Sequence, residues 1–154
     1  MYSFLLFFHS LFRWLVLTGL LYGIFRAYKG YSSGGNFTKT DNAVRHWTAT
    51  ISHIQLMLGF TLYFTSPIIS YFFSHSKEAI HITDMAFFAI VHILLMFTSV
   101  VIITIGSAMA KRKPTDREKF KTMLVWFSIA LFIIFIAVPW PFSPFANRPY
   151  FRAI

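Results

Sequence analysis

The sequence has 154 residues, of which 56% are hydrophobic and only 12% are charged, and its mean hydropathy is +0.61. A soluble domain of this length has no core that could bury 20 phenylalanines together with the isoleucines and leucines, so we expect a single-domain membrane protein over 1–154. The net charge of +9 does not indicate a nucleic-acid partner, because the basic residues lie in short clusters between apolar segments. The absence of cysteine excludes disulfides, iron–sulfur clusters and thiolate zinc sites.

Four apolar segments approach the roughly 20 residues that a helix needs to cross the hydrocarbon core of a bilayer. They cover about residues 4–25, 43–66, 86–109 and 122–138. The first lacks the basic flank and the cleavage site of a signal peptide, so we expect it to be retained as a helix. Pro67 is expected to kink or end the second span, and the aromatic, proline-rich residues 139–154 are expected to form an ordered cap on the membrane surface. The short connections favour an all-α, up-down-up-down four-helix transmembrane bundle.

The basic residues predict the orientation of this bundle. Ten of them lie in the two connections on one side: Arg26, Lys29, Lys39, Arg45 and the six Lys and Arg residues within 111–121. The other side carries Lys77, Arg148 and Arg152. By the positive-inside rule the side with ten basic residues is cytoplasmic, so we expect both termini on the outer side.

Three histidines lie well inside predicted spans, where an ionisable side chain is a functional candidate by default. The other three, His46, His75 and His81, lie in loops or at helix ends. At a rise of about 1.5 Å per residue, His9 and His92 lie about 8 and 9 Å from the same face of the membrane, whereas His53 lies about 15 Å from the opposite face. His9 and His92 are therefore level. Two level imidazoles on different helices could ligate the iron of a b-type haem from its two sides. The alternative is two separate histidines, each hydrogen-bonded to a Ser, a Thr or a backbone carbonyl.

Further polar residues accompany these histidines. Met96 and Ser99 lie on the face of His92, in a stripe of small or adaptable side chains that leaves room for a flat macrocycle. Arg13 lies one turn deeper than His9, and no acidic residue lies inside a predicted span. Its partner would be a haem propionate, a quinone carbonyl or backbone oxygens at a helix break, with snorkelling to the interface as the alternative. His53 and Gln55 form a second polar patch, suited to hydrogen bonds between helices or to a quinone head group.

Several short motifs occur in these spans. They are His-Ser-x-x-Arg-Trp at 9–14, Ser-His-Ile-Gln-Leu-x-x-Gly-x-x-Leu-Tyr at 52–63, His-x-x-x-Met at 92–96 with Ile-Thr-Ile-Gly at 103–106, and Pro-Trp-Pro-Phe at 139–142. Together they resemble small bacterial four-span membrane proteins described as cytochrome-b-like, and the resemblance covers nearly the whole chain. It implies haem b, membrane electron transfer and a multi-pass location in the bacterial inner (cytoplasmic) membrane.

The chain departs from the four-helix cytochromes b that carry two haems, which use four histidines. Here only three histidines lie well inside the spans, and the fourth span holds none. We therefore expect at most one haem, with His9 and His92 as axial ligands and Arg13 stabilising a propionate or a quinone. His53, Gln55, Met96 and Ser99 are the remaining candidate contacts.

On this interpretation the protein is a subunit of a quinol-linked or respiratory complex rather than a self-sufficient enzyme. It would contact lipid, and either partner membrane proteins or further copies of itself. Two alternatives remain. One is a cofactor-free structural or assembly subunit. The other is a small proton-conducting or transport protein, which the lack of intramembrane carboxylates disfavours.

Overall fold

A computed structural model describes residues 1–150. Within that range the chain is helical and has no β-strand, so the all-helical prediction is confirmed. The helices in chain order are α1 (Tyr2–Ser33), α2 (Lys39–Thr65), α3 (Pro67–Ser74), α4 (Ser76–Ala79), α5 (Thr83–Ala86), α6 (Ile93–Arg112) and α7 (Asp116–Ala137), and a π-helical segment (Phe87–His92) joins α5 to α6. The last four residues of the predicted C-terminal cap, including Arg152, lie outside the described residues.

Three helices within residues 1–150 are long and apolar enough to cross a membrane. They are α1 (Tyr2–Ser33), the continuous helix formed by α5, the π-helical segment and α6 (Thr83–Arg112), and α7 (Asp116–Ala137). A fourth crossing results if α2 and α3 are taken as one span with a bend of 55° where the two helices meet. The bend lies at Ser66 and Pro67, because proline cannot donate the hydrogen bond that would continue α2. The predicted kink or end at Pro67 is therefore confirmed. The apolar helices together indicate a lipid bilayer as the environment of the protein.

Local sequence signals set the ends of these helices. Thr38 caps α2 in a capping box with Asp41, and Thr115 caps α7 in the same way with Glu118. Helix α1 ends at Gly34, which has a φ of 66° and whose N–H bonds to the carbonyl of Gly30. Helix α7 ends at Ala137, two residues before Pro139.

The helices extend beyond the apolar spans, so the connections are shorter than the sequence indicated. The stretch between the first two predicted spans shrinks to 34–38, because the last turns of α1 are helical and pack against the start of α7. Phe120 is buried there, and its ring lies so close to Gly30 that a Cβ at that position would be 2.3 Å from it. Packing of this kind offsets the helix-weakening effect of glycine and of polar residues in the last turns of α1.

Each of the four long helices packs against two others. Helix α1 lies against α2 and α7, and α6 lies against α2 and α7. The core between them is apolar and contains Leu20, Ile103, Met123 and Phe127, all fully buried. The outer surface is apolar as well; Phe64, for example, is 82% exposed. An apolar exterior is what a lipid environment requires, since lipid solvates such side chains at no cost.

Candidate functional site

A cavity of about 300 Å³ opens between α1, α2, α6 and the end of α7. Its wall is mostly apolar, and a few polar side chains converge on it, which is typical of sites for small molecules and cofactors. The polar lining residues are Tyr2, His9, Ser10, Arg13, Ser52, Gln55, Tyr63, Ser66, His92, Ser99 and Arg148.

His9 and His92 lie side by side in this cavity. Their ring centroids are 6.5 Å apart and their ring planes make an angle of 68°. His9 comes from α1, and His92 is the last residue of the π-helical segment before α6. The depth argument from the sequence placed these two residues on one level, and the structure brings their rings together.

The environment of His92 holds its ring in one orientation. Its Nδ1 donates a hydrogen bond to the backbone carbonyl of Ala137, at 2.8 Å. That carbonyl has no partner within α7, because the helix ends at Ala137. A longer helix could not pair it either, since residue 141 is a proline and has no N–H. With the proton on Nδ1, Nε2 of His92 carries the free lone pair. The rings of Phe87 and Phe88 pack against the imidazole, each with its centroid 5.7 Å away.

The π-helical segment explains how His92 reaches this position. A wider turn displaces the following residues from their α-helical register, and such turns occur often at functional sites. Tyr63 of α2 donates a hydrogen bond of 2.8 Å to the carbonyl of Ala89, inside the segment. An interhelical bond therefore stabilises the irregular turn one helical turn before His92.

The environment of His9 leaves its ring incompletely bonded. The amide Nε2 of Gln55 donates to the backbone carbonyl of His9 at 3.0 Å and lies 3.5 Å from Nε2 of the imidazole. Nδ1 of His9 and Oε1 of Gln55 are buried, and neither has a hydrogen-bond partner among the described residues. A Cβ at Gly59 would lie 3.3 Å from Cε1 of His9, so this glycine lets the ring rest on α2. Buried polar atoms without partners are few in folded proteins and call for an explanation.

Arg13 lines the same cavity and connects α1 to the C-terminal segment, residues 138–150. Its Nη2 donates to the backbone carbonyl of Tyr150 and lies 3.5 Å from Oγ of Ser10. The indole of Trp14 donates to the same carbonyl, at 3.1 Å. The sequence predicted backbone oxygens as one type of partner for Arg13, and the structure supplies one from the C-terminal segment rather than from the break before Pro67.

The C-terminal segment also closes one side of the cavity through Pro139, Arg148 and Pro149. Arg148 forms an ion pair with Asp84 at 2.7 Å, and its guanidinium lies over the ring of Phe88, 4.7 Å from the centroid. These contacts attach the segment to the region that carries His92.

The remaining candidate residues separate into two groups. Met96 and Ser99 line the cavity, as does Gln55. His53 does not line it: its side chain is exposed and its Nε2 bonds to Oγ1 of Thr104 at 2.8 Å. The predicted polar patch of His53 and Gln55 is thus divided, because residues two apart on a helix point in nearly opposite directions.

Several residues of the site were not found by sequence reasoning. Gly59 lies one turn after Gln55 on the same helix face, and Pro141 leaves the carbonyl of Ala137 without a helical partner. Both signals are local, so both residues could have been predicted from the sequence. Nothing in the sequence indicated that Arg148 or the carbonyl of Tyr150 would reach this cavity, since they come from a distant segment without regular structure.

No family model, no curated protein and no solved structure matches the chain. Residues 1–150 contain no group of three or more His, Cys, Asp or Glu residues placed to hold a metal ion.

Proposed function

We propose that the cavity binds one b-type haem, which His9 and His92 would hold, and that the protein transfers electrons within a membrane. The pair of adjacent imidazoles carries this proposal. The ring centroids of His9 and His92 are 6.5 Å apart in one cavity, so one bound group could contact both rings. A haem iron needs only two protein ligands, because the macrocycle provides the others.

The hydrogen bonds of the two histidines support the same assignment. Metal-binding histidines almost always donate their second ring N–H to a carbonyl or a carboxylate, which fixes the tautomer and makes the ligand more basic. The bond from His92 to Ala137 has this form. On His9, the buried Nδ1 has no partner and Nε2 has only a distant one, so a ligand in the cavity would satisfy a ring that the described residues leave incompletely bonded.

The cavity fits a macrocycle only with some movement of its lining. Its volume of about 300 Å³ is at the lower end of the range for ligand pockets. The small residues Ser52, Gly59 and Ser99 leave room at the helix surfaces, and Met96 has a flexible side chain that can repack. When bound, haem supplies one-electron redox chemistry. The chain contributes the ligands, the exclusion of water and, through Arg13, a positive charge suited to a propionate or a quinone head group.

The proposal also covers the membrane, the orientation and the complex in which the protein works. We place the four long helices in a four-helix transmembrane bundle of a bacterial inner membrane, with both termini outside, as the basic residues predict. The resemblance to cytochrome-b-like proteins supports a role as a subunit of a quinol-linked or respiratory complex. His53, which faces outward, would then contact lipid, a quinone or a neighbouring chain.

The proposal is tested by the dithionite-reduced minus oxidised visible spectrum of the protein purified in detergent. We expect a b-type α-band that is lost in His9→Ala and in His92→Ala. His53→Ala is the matched control and should retain the band, since it removes an intramembrane histidine that does not line the cavity. A folded, colourless wild-type protein would instead favour the cofactor-free structural subunit.

A further inference from the structure

A second cavity, of about 280 Å³, lies at the other end of α1 from His9, where α2 begins, α6 ends and α7 begins. We call it the basic cavity. Its lining residues are Phe37, Thr38, Lys39, Asn42, Lys111 and Lys119. The three lysines come from three different helices, so the fold collects their charges around one concave surface. Charges that serve only to orient a membrane protein need no such arrangement.

A buried arginine, Arg45, contacts Asn42 of the basic cavity. Arg45 is only 5% exposed, and none of the ion pairs among the described residues includes it. Its guanidinium donates to the carbonyl and the hydroxyl of Ser107 and, through Nε and Nη2, to Oδ1 of Asn42. A buried cation without a carboxylate partner is costly unless an anion lies nearby.

The contact with Arg45 also orients Asn42. Because Oδ1 of Asn42 accepts from the guanidinium, its amide N–H₂ group is left to donate elsewhere, and Asn42 lines the basic cavity. An anion in the cavity would therefore meet lysine ammonium groups together with an amide donor held in place by a buried charge.

The nearby carboxylates are largely engaged in other contacts. Asp41 bonds to Arg26 at 2.6 Å and to Thr38, and Glu118 bonds to Thr115. Asp116 pairs with Lys119 at 3.0 Å and is the one acidic residue that contacts a lysine of the basic cavity. The local field is thus positive and only partly compensated.

We propose that the basic cavity binds a phosphate group, either in the head group of an anionic lipid or in a free phosphate compound. Basic pockets between membrane helices are suited to such head groups, because they lie at the level where the lipid phosphates are. This site is independent of the haem proposal and lies at the opposite end of the molecule.

The test is a lipid titration of the purified full-length protein, followed by native mass spectrometry. The probes are phosphatidylglycerol and phosphatidylcholine, with glycerol 3-phosphate as a competitor. The site variant is Lys39→Gln/Lys111→Gln/Lys119→Gln. The matched control is Lys29→Gln/Arg112→Gln/Lys121→Gln, which removes the same charge from exposed positions of α1, α6 and α7 that do not line the cavity.

We expect phosphatidylglycerol to bind the wild type in preference to phosphatidylcholine. Its binding should be about 100-fold weaker in the site variant and within about twofold of wild type in the control. Displacement of phosphatidylglycerol by glycerol 3-phosphate at comparable concentration would identify a free phosphate compound as the ligand, and its absence would identify the lipid. Equal weakening in both variants, weakening in neither, or no preference for the anionic lipid would overturn the proposal. If the triple variant does not fold, Lys39→Gln/Lys111→Gln leaves the Lys119–Asp116 pair intact and should weaken binding about 30-fold.

Discussion

The two histidines of the cavity differ in the contacts that hold them. His92 has one nitrogen committed to the carbonyl of Ala137, so its ring is already in the tautomer that a metal ligand needs. The His9 ring is held more loosely, by contacts with Gln55 and Gly59, which lie one turn apart on the same face of α2. Ring position at His9 should therefore be the more sensitive of the two to small changes in the wall.

Gly59→Val tests this sensitivity. A Cβ at residue 59 would lie 3.3 Å from Cε1 of the imidazole, so the two further methyl groups of valine must displace the ring, and overpacked interiors relax poorly. We expect the haem-to-protein ratio after purification to fall by about tenfold, a factor that corresponds to a modest loss of binding free energy.

Gly19→Val is the control for that experiment. A Cβ there would lie 3.2 Å from Oγ1 of Thr48, so the variant strains the same pair of helices away from the cavity. It should retain haem at close to the wild-type ratio. Equal loss in both variants would mean that the effect is general helix packing and not the position of His9.

The π-helical segment is the feature that distinguishes the helix carrying His92 from an ordinary span. Tyr63 of α2 donates a hydrogen bond to the carbonyl of Ala89 within it. The segment is also packed against the C-terminal segment, with the rings of Phe87 and Phe145 stacked 6.1 Å apart. Two neighbouring elements therefore hold an irregular turn that helix propensity alone would not produce.

Tyr63→Phe removes only the hydroxyl of this interhelical bond. We expect it to lower the free energy of unfolding in detergent by about 1 to 2 kcal/mol, because a partly buried carbonyl loses its partner. The comparison is Tyr71→Phe, whose exposed hydroxyl makes no hydrogen bond among residues 1–150 and which should stay within about 0.5 kcal/mol of wild type. Identical unfolding curves for the two variants would show that the bond to Ala89 does not stabilise the segment.

For the whole molecule, the proposed orientation follows from the separation of charge along the helices. The basic cavity and the cluster within 111–121 lie at one end, while the cavity lined by His9 and His92 lies at the other. This arrangement would put the haem close to the outer face and the phosphate site at the cytoplasmic face.

Because the chain has no cysteine, single introduced cysteines can test that orientation without background. A membrane-impermeant maleimide should label Ser3→Cys and Ser76→Cys in intact cells, and should label Ser33→Cys and Pro114→Cys only after the cells are permeabilised. All four positions are exposed, so burial does not limit the reaction. The opposite labelling pattern would refute the orientation derived from the basic residues.

Sequence reasoning succeeded where the structure is a regular helix. The constant rise of a helix was enough to place His9 and His92 at one level. It failed where non-local contacts decide: the last turns of α1 are helical because they pack on Phe120, and Arg13 is held by the carbonyl of Tyr150. The grouping of His53 with Gln55 ignored the angle between them on a helix, although the sequence contained that information.

Free imidazole should rescue a variant that lacks one of the two rings if the claim that His9 and His92 together ligate one haem is correct. His92→Gly removes the ligand and leaves a space of the same shape. We expect electron paramagnetic resonance of the oxidised wild type to show a low-spin haem, and the variant to lose that signal. Added imidazole should restore it. A low-spin signal that persists unchanged in His92→Gly would contradict the claim.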